Sequence, residues 1–128
     1  MFLSKKSILE AVQRGDIVIS GFNEENLKSA SYTLTLDAIN GMDSLELKPS
    51  EFVLLATKEK ITLNGKYCGL LITPATLAKQ GINVTQGSDF AEPDTDNIIV
   101  LETSNSGNEP VVFKEGMRIV KIAFSEIV

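Results

Sequence analysis

Apolar and polar positions alternate along this chain with two different periods, and the change of period divides it. Ile8, Leu9 and Val12 recur at helical spacing, so the opening segment predicts a short amphipathic helix. Ser7 and Glu10 stand three apart, as in a capping box, and Gly15 is placed to end the helix. Asp16 then leads into Ile17-Val18-Ile19, a short strand. Over residues 31–36 the period becomes two. Tyr32, Leu34 and Leu36 share one face, and Ser31, Thr33 and Thr35 the other, the pattern of a half-buried strand.

Beyond it, strand-like runs and turn signals follow each other closely. Leu45-Glu46-Leu47 precedes the turn Lys48-Pro49-Ser50, and residues 52–57 are strongly apolar. Ile61-Thr62-Leu63 runs into Asn64-Gly65, the best short hairpin signal in the chain. Residues 67–73 predict a buried strand. Pro74 opens a helical turn or two over residues 75–80, with Pro at the first position and Gly81 at the end. Residues 82–85 alternate briefly, and residues 88–97, with Asp89, Glu92, Asp94 and Asp96, predict an acidic loop or exposed hairpin. Residues 98–103, 111–113 and 117–124 complete the strands, with a turn over residues 105–108 between the first two. Many short strands behind one helix predict a mainly β barrel or jelly roll. No repeat, linker or low-complexity stretch interrupts the 128 residues, so a single domain over residues 1–128 is expected.

Composition narrows the chemistry more than the fold. The hydrophobic share of 43% and charged share of 23% are ordinary for a globular protein. No apolar run is long enough to span a bilayer, so no membrane partner is expected. The residues from Met1 to Lys6 lack the apolar core of a signal peptide. The single cysteine, Cys68, cannot form an internal disulfide, and the expected setting is a reducing cytoplasm. A net charge of −5 argues against general binding to DNA or RNA. It does not argue against one small anionic ligand, which a few local cations or backbone N–H groups can hold.

The sequence has no histidine. That excludes Ser-His-Asp and Cys-His nucleophiles and any histidine proton shuttle. With one cysteine it also closes the Cys/His zinc site, and with it zinc-dependent deamination of a base. What remains is carboxylates, lysine, hydroxyls, bound water, or an oxygen-liganded ion such as Mg²⁺.

Three stretches carry a resemblance. The first runs Leu3-Ser4-Lys5-Lys6-Ser7-Ile8-Leu9-Glu10-Ala11, Gly15-Asp16-Ile17-Val18-Ile19, Phe22-Asn23-Glu24-Glu25-Asn26-Leu27, then Ala30-Ser31-Tyr32-Thr33-Leu34-Thr35-Leu36. The second is Pro49-Ser50-Glu51-Phe52-Val53-Leu54. The third is Leu101-Glu102-Thr103-Ser104-Asn105-Ser106-Gly107-Asn108-Glu109-Pro110-Val111 with Glu115-Gly116-Met117-Arg118-Ile119-Val120-Lys121-Ile122-Ala123-Phe124. Together they resemble the dCTP deaminase branch of the dUTPase superfamily, with its "ASYDLRL", "PGEFVLA" and "LELSNSGNLPV…PGMRIAQLVF" segments, in order along nearly the whole chain. The resemblance implies a dUTPase-like distorted jelly-roll or β-clip barrel with a short N-terminal helix, a homotrimer, and nucleotide sites at subunit boundaries. It also implies chemistry on dCTP by a glutamate and an ordered water, or on dUTP by an aspartate-activated water with Mg²⁺.

Carried onto this sequence residue by residue, the resemblance leaves two readings at most positions. Glu102 matches the deaminase glutamate, which would move protons between water and cytosine; otherwise it is a solvated glutamate on a strand. Residues 73–81 fall on "GRSSLARLG", where arginines and serines grip the triphosphate. Here Pro74 replaces the first arginine, Ala75 the first serine, Thr76 the second serine and Lys79 the second arginine, leaving one hydroxyl and one point charge. Lys79 is equally a surface lysine on a short helix. Residues 86–97 fall on "QTAGWIDPGFEG", the base and sugar segment. Gln86 and Pro93 are kept, Glu92 replaces the dUTPase aspartate on a longer arm, and Ser88 lies in the same stretch. Phe90 could stack on a base. The four acidic residues there are a weak cation site or, better, a solvated loop, since their spacing matches no EF-hand. Thr33 stands where the family's first strand carries an aspartate, and the sequence ends at Val128 without the family's closing C-terminal segment. Phe22, Phe52, Phe113 and Phe124 are expected in the core.

The scaffold is thus better kept than the grip on the ligand. The expectation is a homotrimeric nucleotide-binding protein, catalytically impaired, acting as a decoy, sensor or sequestering protein. The alternatives are an active, divergent dCTP deaminase or dUTP diphosphatase, and a structural trimer without ligand. No cofactor is certain; Mg²⁺ would accompany a bound triphosphate.

Overall fold

The computed structural model describes residues 1–128. Helix α1 (Lys5–Arg14) follows Leu3, which is tethered by its N–H to the Phe124 carbonyl at 2.8 Å. The helix starts one turn earlier than the Ser7–Glu10 pair predicts. Ser4 is the N-cap, and its hydroxyl oxygen accepts from the Ser7 N–H at 3.2 Å. Gly15 ends the helix in the left-handed conformation, φ 80°, as its position predicts. Ile8 and Ala11 are buried under it.

Two four-stranded antiparallel sheets and one two-stranded ribbon make up the rest. The first sheet orders β1 (Ile17–Ile19), β4 (Phe52–Leu63), β8 (Asp96–Asn105) and β6 (Ile82–Asn83) as β1-β4-β8-β6. The second orders β2 (Tyr32–Thr35), β10 (Arg118–Glu126), β5 (Tyr67–Ile72) and β7 (Phe90–Ala91) as β2-β10-β5-β7. The ribbon pairs β3 (Ser44–Leu47) with β9 (Val111–Lys114). Helix α2 (Ala75–Ala78) is a single turn between β5 and β6. The inward rows meet in one core that joins Leu55, Ile61 and Leu63 of β4 to Leu101 of β8, Leu34 of β2 and Ile122 and Phe124 of β10. Each such side chain contributes about 1.5–3 kcal/mol on burial. The protein is mainly β with one short N-terminal helix, as the strand pattern predicts.

The structure corrects several local expectations. The runs at 52–57 and 61–63 are one strand, bent where the pairing with β8 shifts register between Ala56 and Lys60. Thr57 fills the gap in the ladder: its Oγ1 accepts from the Ile99 N–H (3.0 Å) and donates to the Glu59 carbonyl (2.8 Å). Asn64-Gly65 makes a turn but no hairpin, because β4 and β5 belong to different sheets. The turn is a corner, with the Asn64 amide donating to Asp16 at 3.0 Å. The turn at 105–108 likewise joins β8 to a strand that pairs elsewhere. Phe113 and Phe124 are fully buried and Phe22 stacks on Tyr32 at 5.3 Å, but Phe52 faces outward at 54% exposure.

Candidate functional site

Strand β8 buries one row of side chains and presents the other. Ile99, Leu101, Thr103 and Asn105 point inward; Ile98, Val100, Glu102 and Ser104 do not. Glu102 therefore sits on the outer face, opposite Leu54 of β4 in the ladder. The chain after β6 continues along the edge of β8, and the Gln86 N–H donates to the Glu102 carbonyl at 3.2 Å. That brings Gly87 against the Glu102 side chain, where an added Cβ would lie 3.1 Å from Oε2 and 3.5 Å from Oε1. The Oε1 atom is buried and has no hydrogen-bond partner. Leaving such an acceptor unsatisfied costs on the order of 1–3 kcal/mol. Within the chain nothing offsets this.

Between β7 and the first half of β8, a cavity of about 250 Å³ is lined by Ser88, Phe90, Glu92, Thr95, Asn97 and Val100 among others, without Glu102. It is smaller than the roughly 300–1,000 Å³ of a typical complete ligand pocket. Phe90 is 46% exposed, held on β7 opposite Leu70. A tight turn, with the Thr95 N–H donating to the Glu92 carbonyl at 3.2 Å and Asp94 at φ 65°, leaves Glu92 exposed at the rim. Gln86 and Ser88 are exposed as well.

Thr76 and Lys79 lie elsewhere. Pro74 is the N-cap of α2, not its first helical residue, and offers no side-chain hydrogen bond. Lys79 lines a separate cavity of about 490 Å³ with Gln80, Gly81, Gly107, Asn108 and Glu109, and the two cavities share no residue. Gly81 and Gly107 lock this end together. Gly81 is left-handed (φ 86°), an added Cβ would lie 2.6 Å from Gly107 Cα, and the Ser106 N–H donates to the Gly81 carbonyl at 2.9 Å. Within one chain, then, Ser88, Phe90 and Glu92 line one cavity, Glu102 lies outside it on the outer face of β8, and Lys79 lines another cavity.

The carboxylates of the acidic stretch do not converge on one point. No three Asp, Glu or Cys side chains converge anywhere in the structure. Asp96 is engaged instead by the Thr62 hydroxyl (2.8 Å) and by Lys60 (3.1 Å). Those two bonds, the hydroxyl first, hold the Asp96 carboxyl below the usual carboxylate range. The residues present do not form a cage for Mg²⁺, and no chemical step is assigned to one.

Two structural features escape the sequence reading. Glu59 is 7% exposed, and Thr35 donates to it from its N–H (2.9 Å) and its hydroxyl (2.7 Å). Its inward phase with Leu55, Ile61 and Leu63 was available to a period-two count across the charged run. No periodicity marks Gly87.

Residues 38–127, more than half of the chain, match the model of the dCTP deaminase-like family. The chain belongs to that family. It is 27% identical to the dUMP-forming dCTP deaminase of Corynebacterium glutamicum, over 99% of this chain and 82% of that protein. The alignment runs over 154 positions, so the relative carries inserted residues that this chain lacks. The 2′-deoxycytidine 5′-triphosphate deaminase of Agrobacterium tumefaciens superposes with a TM-score of 0.80 at 14% identity, over 99% of this chain and 48% of that one. This chain thus spans about half the length of that deaminase. The native dUTPase of EIAV superposes with a TM-score of 0.69 at 15% identity, over 86% of this chain and 88% of that one. The fold is the dUTPase-like β fold.

Proposed function

We propose that this chain is a nucleotide-binding member of the dCTP deaminase-like family that keeps Glu102, Lys79 and Gln86 but whose triphosphate grip is weakened, so that it binds with little turnover. A decoy, sensor or sequestering role follows from binding without turnover. The observation that carries this reading is α2, where Pro74 and Ala75 offer no side-chain donor and only Thr76 and Lys79 remain. Each lost charge-assisted contact to phosphate is worth about 1.5–3 kcal/mol, so two lost contacts weaken a triphosphate by roughly two to four decades.

A homotrimer belongs to the same proposal. Phe52, Leu54, Ile98 and Val100 leave an apolar strip on the outer face around Glu102, each more than two-fifths exposed. A second copy laid on that strip excludes water from it and can bring the Lys79 end of one chain to the Glu102 end of another. A cytoplasmic setting fits Cys68, which is unpaired.

The test is a thermal-shift screen with dCTP, dUTP, dCMP, dUMP and cyclic nucleotides, followed by product analysis with dCTP and dUTP in Mg²⁺. Binding without product at enzymatic speed is the expected result. The second reading, an active and divergent deaminase or diphosphatase, draws on the unpartnered Glu102 oxygen, since a ligand donor would satisfy it. Turnover abolished by Glu102→Gln or Glu92→Gln would establish that reading instead. If no nucleotide raises the melting temperature, the chain is a structural member of its family.

A further inference from the structure

We infer that Gly87 is a positioning residue for Glu102: the missing side chain at 87 is what lets the carboxylate lie along the sheet with one oxygen buried. This rests on the reading above, that Glu102 meets the bound nucleotide.

Three observations converge on it. The Gln86 N–H to Glu102 carbonyl bond fixes the two backbones side by side, so the segment at 87 cannot easily swing away. A Cβ at 87 would crowd Oε2 of the carboxylate at 3.1 Å and would sit in ordinary contact, at 3.5 Å, with Cδ and Oε1. The carboxylate has no protein donor to pull it back once displaced, because Oε1 is unpartnered and no side-chain hydrogen bond to Oε2 exists. Its place is therefore set by shape alone. Gly87 has no left-handed backbone that would require glycine for conformational reasons. It is also exposed, so adding a methyl group there does not disturb the core. The carboxylate's position is the one thing that the substitution changes.

The experiment compares wild type, Gly87→Ala, Glu102→Gln and the double variant Gly87→Ala/Glu102→Asp, with dCTP as the probe. The first measurement needs no ligand: the side-chain carboxyl ¹³C signal of Glu102, assigned by its loss in Glu102→Gln. Gly87→Ala is expected to move that signal while leaving the unliganded melting temperature within about two degrees, as for surface substitutions. The second is the dCTP concentration that gives half of the melting shift. A carboxylate displaced by a fraction of an ångström should raise it about tenfold. The shorter arm of Glu102→Asp in the Gly87→Ala background withdraws the carboxylate from the added methyl and should recover part of the loss. An unmoved Glu102 signal in Gly87→Ala overturns the inference, whatever dCTP does. So does a weakened dCTP response that the double variant fails to improve. If instead the signal moves while Glu102→Gln leaves the dCTP response intact, Gly87 still positions Glu102, and it is the assignment of Glu102 to the nucleotide that falls.

Discussion

Two glutamates here are held in opposite ways. Glu59 is buried with both oxygens accepting from Thr35, whereas Glu102 holds a buried oxygen that accepts from nothing. Substitution should therefore act differently at the two. Glu59→Ala leaves the Thr35 N–H without its acceptor and is expected to cost about 3 kcal/mol in urea unfolding. Glu102→Gln breaks no hydrogen bond of the protein and is expected to leave the melting temperature within about two degrees, even as it weakens nucleotide binding. Asp96 supplies a pH dependence. Its folded value lies below its unfolded one, so its contribution is present above about pH 4 and is lost as pH falls through the lowered value. Thr62→Val removes the first cause of that lowering, and an NMR titration should find the Asp96 midpoint moved up. Glu59 was open to detection by phase along its strand. The open flank at Gly87 was not, because it depends on two segments fifteen positions apart meeting across a sheet.

At the scale of elements, caps and corners decide more than strand propensity. Ser4→Ala removes the hydroxyl that accepts from Ser7 and should cost about 1 kcal/mol, read from a denaturant midpoint. Gly81→Ala meets both a left-handed backbone and the Gly107 backbone. It is expected to cost 2 kcal/mol or more and to loosen the Lys79 end of α2. The long alternating runs made most strands legible, and Gly15 marked the end of α1. Pairing was less legible. Asn64-Gly65 has the chemistry of a hairpin turn, but local turn chemistry sets a reversal and leaves open which partner the next strand finds. Here β10 takes β5 and β8 takes β4, both from far along the chain. The extra residues that bend β4 were hidden for a related reason. Polar Thr57 and Glu59 look like a break until their hydrogen bonds are seen.

For the whole molecule, the outer strip of β4 and β8 is the feature with the largest consequence. On the proposed trimer it is covered, and a charge placed in it should separate the copies. Leu54→Lys or Val100→Lys is expected to change the mass measured by light scattering from about three chains to one, with the fold kept, because both side chains already face outward. The family was legible in the sequence because its scaffold segments are spread in order over the chain. The site was legible only in pieces. A pattern along one chain records which residues face outward, but not that the Lys79 cavity and the Glu102 face lie apart within it.

The position of β10 has a further implication for how the molecule comes into being. It follows both of its partners in sequence by a long interval, yet it lies between β2 and β5, and it also supplies the carbonyl that anchors Leu3. Until β10 docks, β2 and β5 have no partner in common, and each keeps a bare strand edge. Assembly of that sheet should be slow and abrupt, governed by the docking of one strand, and sensitive to crowding by other unfolded copies.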